Sequence, residues 1–215
     1  MPLPRYEYTG PIDHTQPVDT SKLKGKSVII TGGANGMGEA CVRSFIAAGA
    51  YVTIGDFDDR GTGLAKELNE ASGKEVCSFV QVDIRDWEQQ KKMFETAKTR
   101  SPEKSVDIVI ANAGISRSSG DSMWKLDGTL ATSMQLQEDS LIISTDPNGE
   151  PEKPDLNIVR VNMDGSLYTF KLATHYFRKQ PDVPERERCF IITGSLNAWI
   201  DSPVKQVVRE VLCVS

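Results

Sequence analysis

From residue 27 onward, apolar and polar positions along this chain switch between two rhythms; before it they follow neither. Residues 1–24 are rich in proline, aspartate and threonine without a hydrophobic period, which predicts an arm that lies on the surface or is disordered. Short apolar runs bounded by turn residues then read as strands: Ser27 to Thr31, Tyr51 to Asp56, Val76 to Asp83, Val106 to Ala111 and Cys189 to Thr193. Stretches with apolar residues three and four apart predict helices over Gly36 to Ala48, Gly61 to Ala71, Trp87 to Thr99 and Leu156 to Lys179. In the first of these, Ala40, Cys41, Ser44, Phe45 and Ala48 share a face expected to pack on the sheet, while Glu39 and Arg43 point outward. Alternating strands and helices imply a parallel sheet with right-handed crossovers. The expected class is an α/β doubly wound parallel sheet (Rossmann fold) of strand order 3-2-1-4-5, incomplete at its C-terminal edge. Its domain is residues 25–203.

Two stretches break the rhythm. After Asn112-Ala113-Gly114 a polar segment runs from about Ser116 to Asp155, far longer than a loop in a compact domain. Within it, residues 128–145 are expected to be an insertion translated from a retained intron. Gly128-Thr129-Leu130 can be encoded with a splice donor (GTACGT) and Thr145-Asp146 with an acceptor (CAG), and joining them restores one Asp codon in frame. The second stretch is the atypical tail, residues 204–215, where Val204 has a codon beginning GT. There Val204, Val207, Val208, Val211 and Leu212 recur at helical spacing, a stripe expected to cover part of the sheet edge.

The candidate chemistry begins at Thr31-Gly32-Gly33-Ala34-Asn35-Gly36-Met37-Gly38, between a strand and a helix. Glycine there lets backbone N–H groups approach a pyrophosphate at a helix N-terminus. Asp56 ends the next strand about twenty residues on, where a carboxylate accepts hydrogen bonds from an adenosine ribose. This pairing is the signature of a βαβ nucleotide site.

Composition narrows the partners. A formal charge of −5 and a pI near 5.2, with no basic block longer than a pair such as Lys91-Lys92, leave no footprint for nucleic acid or an anionic membrane. Cys41, Cys77, Cys189 and Cys213 are scattered without metal-ligand or disulfide spacing, so reduced thiols and no metal site are expected. No apolar run approaches a bilayer span and the N-terminus lacks a secretion signal, so the expected location is cytoplasmic.

The glycine octamer, Asp56, Val82-Asp83-Ile84, Ala111-Asn112-Ala113-Gly114, Val161-Asn162 before a glycine, and Thr193-Gly194-Ser195 occur in one order. Together, over roughly Leu23 to Pro203, they resemble the short-chain dehydrogenase/reductase family. Leu167 to Ala173 with His175-Tyr176-Phe177 is similar to fungal members, some acting in secondary metabolism. The resemblance assigns Gly32, Gly36 and Gly38 to the phosphate turn, with Asn35 and Met37 beside the cofactor. It assigns Asp83 and the Ile84 backbone to the adenine, and Asn112, Ala113 and Gly114 to the nicotinamide ribose. Asp83 also reads as a helix cap before Trp87. NAD is the expected cofactor and NADP the less favoured one, because the Asp56 carboxylate repels a 2′-phosphate; Arg60 is the nearest basic residue after it. For chemistry the family uses Asn, Ser, Tyr and Lys, and Asn162 and Ser195 match the first two. A helix-breaking asparagine and a turn serine are the alternative readings.

The departure lies downstream. In the family a Tyr-x-x-x-Lys pair follows the Ser by about thirteen residues. Here that position is Val208; Tyr6, Tyr8, Tyr51, Tyr168 and Tyr176 all precede Ser195, and Lys205 is the one lysine after it. The resemblance therefore implies an oxidoreductase of a small-molecule alcohol or ketone, or alternatively a cofactor-binding pseudoenzyme or inactive isoform. Family members pair through the Asn-bearing helix and the one after it, which implies weakened homo-oligomer assembly here.

Overall fold

The computed structural model describes residues 18–115, 148, 150, 156–181 and 187–195. Residues 1–17, the expected insertion at 128–145 and the tail at 204–215 lie outside them. Residues 21–23 form a 3-10 turn in which Leu23 N–H donates to the Thr20 carbonyl at 3.0 Å.

The sheet is built on β1 (Ser27–Thr31), every residue of which is buried. β2 (Tyr51–Asp56) and β3 (Cys77–Gln81) follow on one side. β4 (Ile108–Ala111) and β5 (Cys189–Ile192) follow on the other. All pairs are parallel and the order is β3-β2-β1-β4-β5, as the strand and helix pattern implies. Register sets Thr31 opposite Gly55 and Ile30 opposite Ile110, so the strands end together at their C-terminal edge.

Alternation along β1 divides the core into two layers. Val28 and Ile30 pack with Val42, Val52, Ile54, Leu64 and Leu68 beneath α1 (Gly36–Ala47) and α2 (Arg60–Ser72). Ile29 faces the other way, toward Met93, Phe94 and Ala97 of α3 (Trp87–Arg100) and Leu172 and Ala173. Helices on both faces make the sheet doubly wound.

Helix ends follow local chemistry. Asp86 caps α3 by accepting from the Glu88 and Gln89 amides at 2.9 and 3.0 Å, and Gly73, in the left-handed conformation at φ 64°, stops α2. The inward face of α1 is rotated from the expected one. Gly38 and Val42 are buried and Cys41, Phe45 and Ile46 pack on the core, whereas Ala40 and Ser44 are exposed. The cause is at the first turn, where Gly38 rather than Ala40 must lie against the strand.

The single helix expected over 156–179 is three segments: α4 (Asn157–Val159), a π-helical stretch Arg160–Gly165, and α5 (Ser166–Lys179). β4 starts two residues later than expected. Asp107 is fully buried and its carboxylate accepts from the Ser27 amide at 2.9 Å and the Ser105 hydroxyl at 3.0 Å, anchoring the bottom of β1.

Among the described residues β5 has a strand neighbour on one side only, β4. Phe190 is half-buried against Phe170, ring centroids 5.1 Å apart, while Ile191 and Ile192 are 42% and 49% exposed. An apolar edge of this kind invites strand addition by a second chain. Ile191→Lys should therefore raise the concentration at which the purified chain aggregates, read by light scattering, while shifting Tm by no more than about 2 °C. Unchanged aggregation would show that this edge is not the sticky surface.

Candidate functional site

At the C-terminal edge of the sheet the turn from β1 into α1 is shaped by backbone contact. Gly32 and Gly36 have φ of 66° and 55°, a region that costs glycine little. A Cβ on Gly32 would lie 2.8 Å from Ala113 Cα, and one on Gly38 would lie 2.0 Å from the Gly32 carbonyl oxygen. Asn35 caps the helix: its Oδ1 accepts from the Gly36 amide at 2.8 Å, and its carbonyl takes the first intrahelical bond, from Glu39 N–H, at 3.2 Å. The Met37 and Gly38 amides then belong to the first turn and have no intrahelical acceptor. With Met37 72% exposed above them, they form an open, electropositive cradle for an anion.

Asp56 closes one side of this cradle. Its Oδ2 accepts from the Ala34 amide at 2.9 Å and its Oδ1 from the Asp58 amide at 3.0 Å, so the carboxylate also fixes the glycine turn. Each oxygen keeps a further lone-pair direction for a ribose hydroxyl. Arg60 is turned to Asp58, with Nε 2.8 Å and Nη2 2.7 Å from Oδ2.

Asp83 lies past the end of β3, half-buried, and Arg85 grips it through Nε at 2.9 Å and Nη2 at 2.5 Å. The Arg85 guanidinium holds the Asp83 carboxyl below the usual carboxylate range. The cap of α3 is Asp86, not Asp83, which leaves Asp83 to the loop. Ile84 is buried under it, and a Cβ on Gly165 would lie 2.5 Å from Ile84 Cδ1.

The end of β4 is stitched to both neighbours. Thr31 Oγ1 accepts from the Asn112 and Ala113 amides at 3.0 and 3.1 Å. Asn112 Nδ2 donates to the Thr31 and Gly32 carbonyls, each at 3.1 Å, and its Oδ1 accepts from the Thr193 hydroxyl at 3.2 Å. Asn112, Ala113 and Gly114 thus form the wall beside the glycine turn.

Asn162 sits in the π-helical stretch, and its side chain reads the Ile115 backbone from both sides. The Ile115 amide donates to Oδ1 at 2.8 Å and Nδ2 donates to the Ile115 carbonyl at 2.9 Å. It is therefore a clamp between helix and loop rather than a mere helix breaker. Ser195 lies two residues past Thr193, whose amide extends the β4 pairing by donating to the Ala111 carbonyl at 3.0 Å. Asn162 and the strand leading to Ser195 thus hold the same β4 loop, one through Ile115 and the other through Asn112.

The described tyrosines are engaged elsewhere. Tyr51 begins β2, Tyr168 packs edge-on against Trp87 at 5.5 Å, and the Tyr176 hydroxyl donates to Glu95 at 2.7 Å. Burial and Glu95 raise the Tyr176 hydroxyl far above the range of a working base. Cys77 is a core residue whose thiol burial pushes up to about 12.

These residues fit a dinucleotide. Gly38 packs on the Gly32 carbonyl with no room for a Cβ, the space at Gly36 is open, the first-turn amides have no intrahelical acceptor, and Asp56 ends β2 while Asp83 lies past the end of β3. Thr31 and Thr193 stood inside the recognised motifs without a role of their own; a hydroxyl closing an apolar strand was the available signal.

Comparison with known proteins shows the family and the fold. A family profile described as short chain dehydrogenase matches residues 26–143, and the chain belongs to that family. It is 31% identical over 192 residues to a 5'-hydroxyaverantin dehydrogenase of Dothistroma septosporum, covering 86% of this chain and 57% of that protein. It is 30% identical over 200 residues to the 5'-hydroxyaverantin dehydrogenase stcG of Emericella nidulans, covering 90% and 59%. The chain thus spans somewhat over half the length of these relatives. In fold it resembles a short-chain dehydrogenase/reductase from Brucella melitensis, with a TM-score of 0.59 at 18% identity over 88% of this chain and 65% of that one.

Gly38→Ala tests the cradle. A methyl 2.0 Å from the Gly32 oxygen forces the turn apart. NAD affinity by isothermal titration should fall at least about tenfold, with a loss of stability of ~1–3 kcal/mol. Retained affinity would mean that the turn does not hold the phosphates.

Proposed function

We propose that this chain is an NAD-dependent oxidoreductase of the short-chain dehydrogenase class, acting on a small-molecule alcohol or ketone of the kind found in fungal secondary metabolism. The observation that carries the reading is the Gly38 to Gly32 contact, which leaves the first-turn amides of α1 open beside the Asp56 carboxylate. Two relatives that match most of the chain are named as dehydrogenases of a hydroxylated compound, which supports a hydroxyl-bearing substrate.

In this reading the Met37 and Gly38 amides hold the pyrophosphate, Asp56 the adenosine ribose, and Asp83 with the Ile84 backbone the adenine. Asn112 to Gly114 border the nicotinamide ribose. When bound, the nucleotide supplies the hydride acceptor or donor. Ser195 polarises the substrate oxygen, and Asn162 keeps the loop at Ile115 in place and offers its remaining N–H to a relay water.

NAD is favoured over NADP because a 2′-phosphate would approach the Asp56 carboxylate, while the Arg60 guanidinium is turned to Asp58. Titration should give tighter binding of NAD than of NADP. Asp56→Ala should weaken both nucleotides, since the Ala34 amide loses its acceptor, yet narrow the NAD preference by about tenfold. The ratio isolates the ribose contact from the turn. An unchanged ratio would leave Asp56 with a structural role alone.

A second reading is favoured by one observation. Position 208 is Val, position 212 is Leu, and the described tyrosines face Trp87, Glu95 or the start of β2. This chain by itself is then a cofactor-binding form without the proton donor. Loss of acid–base catalysis removes a factor of roughly 100 to 10,000. The 215-residue chain should show no NAD-linked oxidation of secondary alcohols above background even where binding is measurable. A version lacking residues 128–145 and continuing from Pro203 into a Tyr-x-x-x-Lys segment should turn over, and Ser195→Ala in it should abolish most of that rate. Turnover by the short chain would exclude the second reading.

A further inference from the structure

Gln90 is completely buried in the first turn of α3, although it belongs to neither the cofactor cradle nor the Asn and Ser pair. Its surroundings are polar and fully paired. Nε2 donates to the Ile84 carbonyl at 2.6 Å and to the Gly165 carbonyl at 2.9 Å. Oε1 accepts from the Thr169 hydroxyl at 2.8 Å, and that hydroxyl also lies 2.8 Å from the Gly165 carbonyl. Two carbonyl acceptors demand the NH2 group, so the orientation of the amide is set by its partners.

The two carbonyls belong to different parts of the site. Ile84 follows Asp83 in the loop assigned to the adenine, and Gly165 ends the π-helical stretch that carries Asn162. Asn162 in turn grips Ile115, the residue after the Asn112 to Gly114 wall. Gly165 admits no side chain here, because a Cβ would meet Ile84 Cδ1 at 2.5 Å. One amide thereby fixes the distance between the adenine loop and the Asn-bearing helix. A buried donor with two acceptors is costly to lose, since the Ile84 carbonyl is then left dry without this donor and the Gly165 carbonyl keeps only the Thr169 hydroxyl as a side-chain partner.

Building on the reading of this cleft as a dinucleotide site, we propose that Gln90, held by Thr169, is a positioning residue that couples the adenine loop at Ile84 to the helix carrying Asn162. Residues that touch no ligand thus set where both ends of the ligand are met.

The test uses the full chain. Gln90→Met keeps the volume and removes both donors; Thr169→Val removes only the hydroxyl; Thr169→Ser keeps it. Two readouts are taken well below the melting transition: affinity for AMP and NAD by titration calorimetry, and hydrogen exchange of the Ile115 amide by NMR. Gln90→Met should weaken both nucleotides by about tenfold and speed Ile115 exchange by a similar factor. Thr169→Val should shift both in the same direction by about threefold, and Thr169→Ser should restore them. A folded Gln90→Met chain with a lower Tm but wild-type affinity and Ile115 exchange would overturn the proposal, because that is what a merely structural residue does. If Gln90→Met does not fold, Thr169→Val decides, and wild-type values in both readouts overturn it. If the unmutated chain binds neither AMP nor NAD, the dinucleotide reading fails; the coupling then stands or falls on Ile115 exchange alone.

Discussion

The architecture depends on the close approach of two backbones. Gly38, in the first turn of α1, lies directly over the Gly32 carbonyl, where a single methyl group would sit 2.0 Å from oxygen. That contact lets the helix start as soon as the strand ends, so its N-terminal amides point across the C-terminal edge of the sheet. It also dictates the inward face of α1, which runs from Gly38 through Cys41, Val42, Phe45 and Ile46. The cradle and the packing of the first helix are therefore one geometric fact.

Around this contact the strand ends are tied by side chains rather than by the ladder. Thr31, Asn112 and Thr193 form a chain of hydrogen bonds that crosses from β1 to β4 to β5, each between residues more than 80 positions apart or on different strands. Parallel strands end in a row of backbone groups with no further ladder partners, and here the buried Thr31 hydroxyl and the half-buried Asn112 amide satisfy several of them.

Much of this could be read from the chain. The strands lie within two residues of the expected ends, the parallel sheet follows from alternating strands and helices, and the order β3-β2-β1-β4-β5 is that of the doubly wound class. Gly32, Gly36, Gly38 and Asp56 were recognisable because their roles depend on near neighbours: a positive φ, a close approach, a strand end. Helix segmentation was not recognisable, because the π-helical stretch Arg160–Gly165 is held by partners at Ile115, Ile84 and Gln90, which no periodicity of residues 156–179 contains. Gln90 was hidden for a related reason. It occupies an inward position of α3 with Met93, Phe94 and Ala97, where helical spacing asks for an apolar residue. A polar residue on such a stripe was the signal, and its meaning needed Gly165 and Thr169 from the other end of the chain.

The two ends of the cleft are thus held by interactions of different range. The phosphate end is set within residues 31–56 by local turn geometry and a carboxylate 22 positions from the amide it holds. The Asn162 end is set by bonds spanning 47 and 75 positions, which form only when the second half of the chain docks. Local contacts close at small entropic cost and survive change elsewhere, whereas the distant ones require the whole packed layer of α3 and α5. Gln90 is the side chain that joins the loop at Ile84 to the helix carrying Asn162, through the Ile84 and Gly165 carbonyls. The glycine turn and the Asp56 carboxylate that holds it lie within residues 31–56, whereas the Asn112 to Gly114 wall joins them only when β4 docks beside β1.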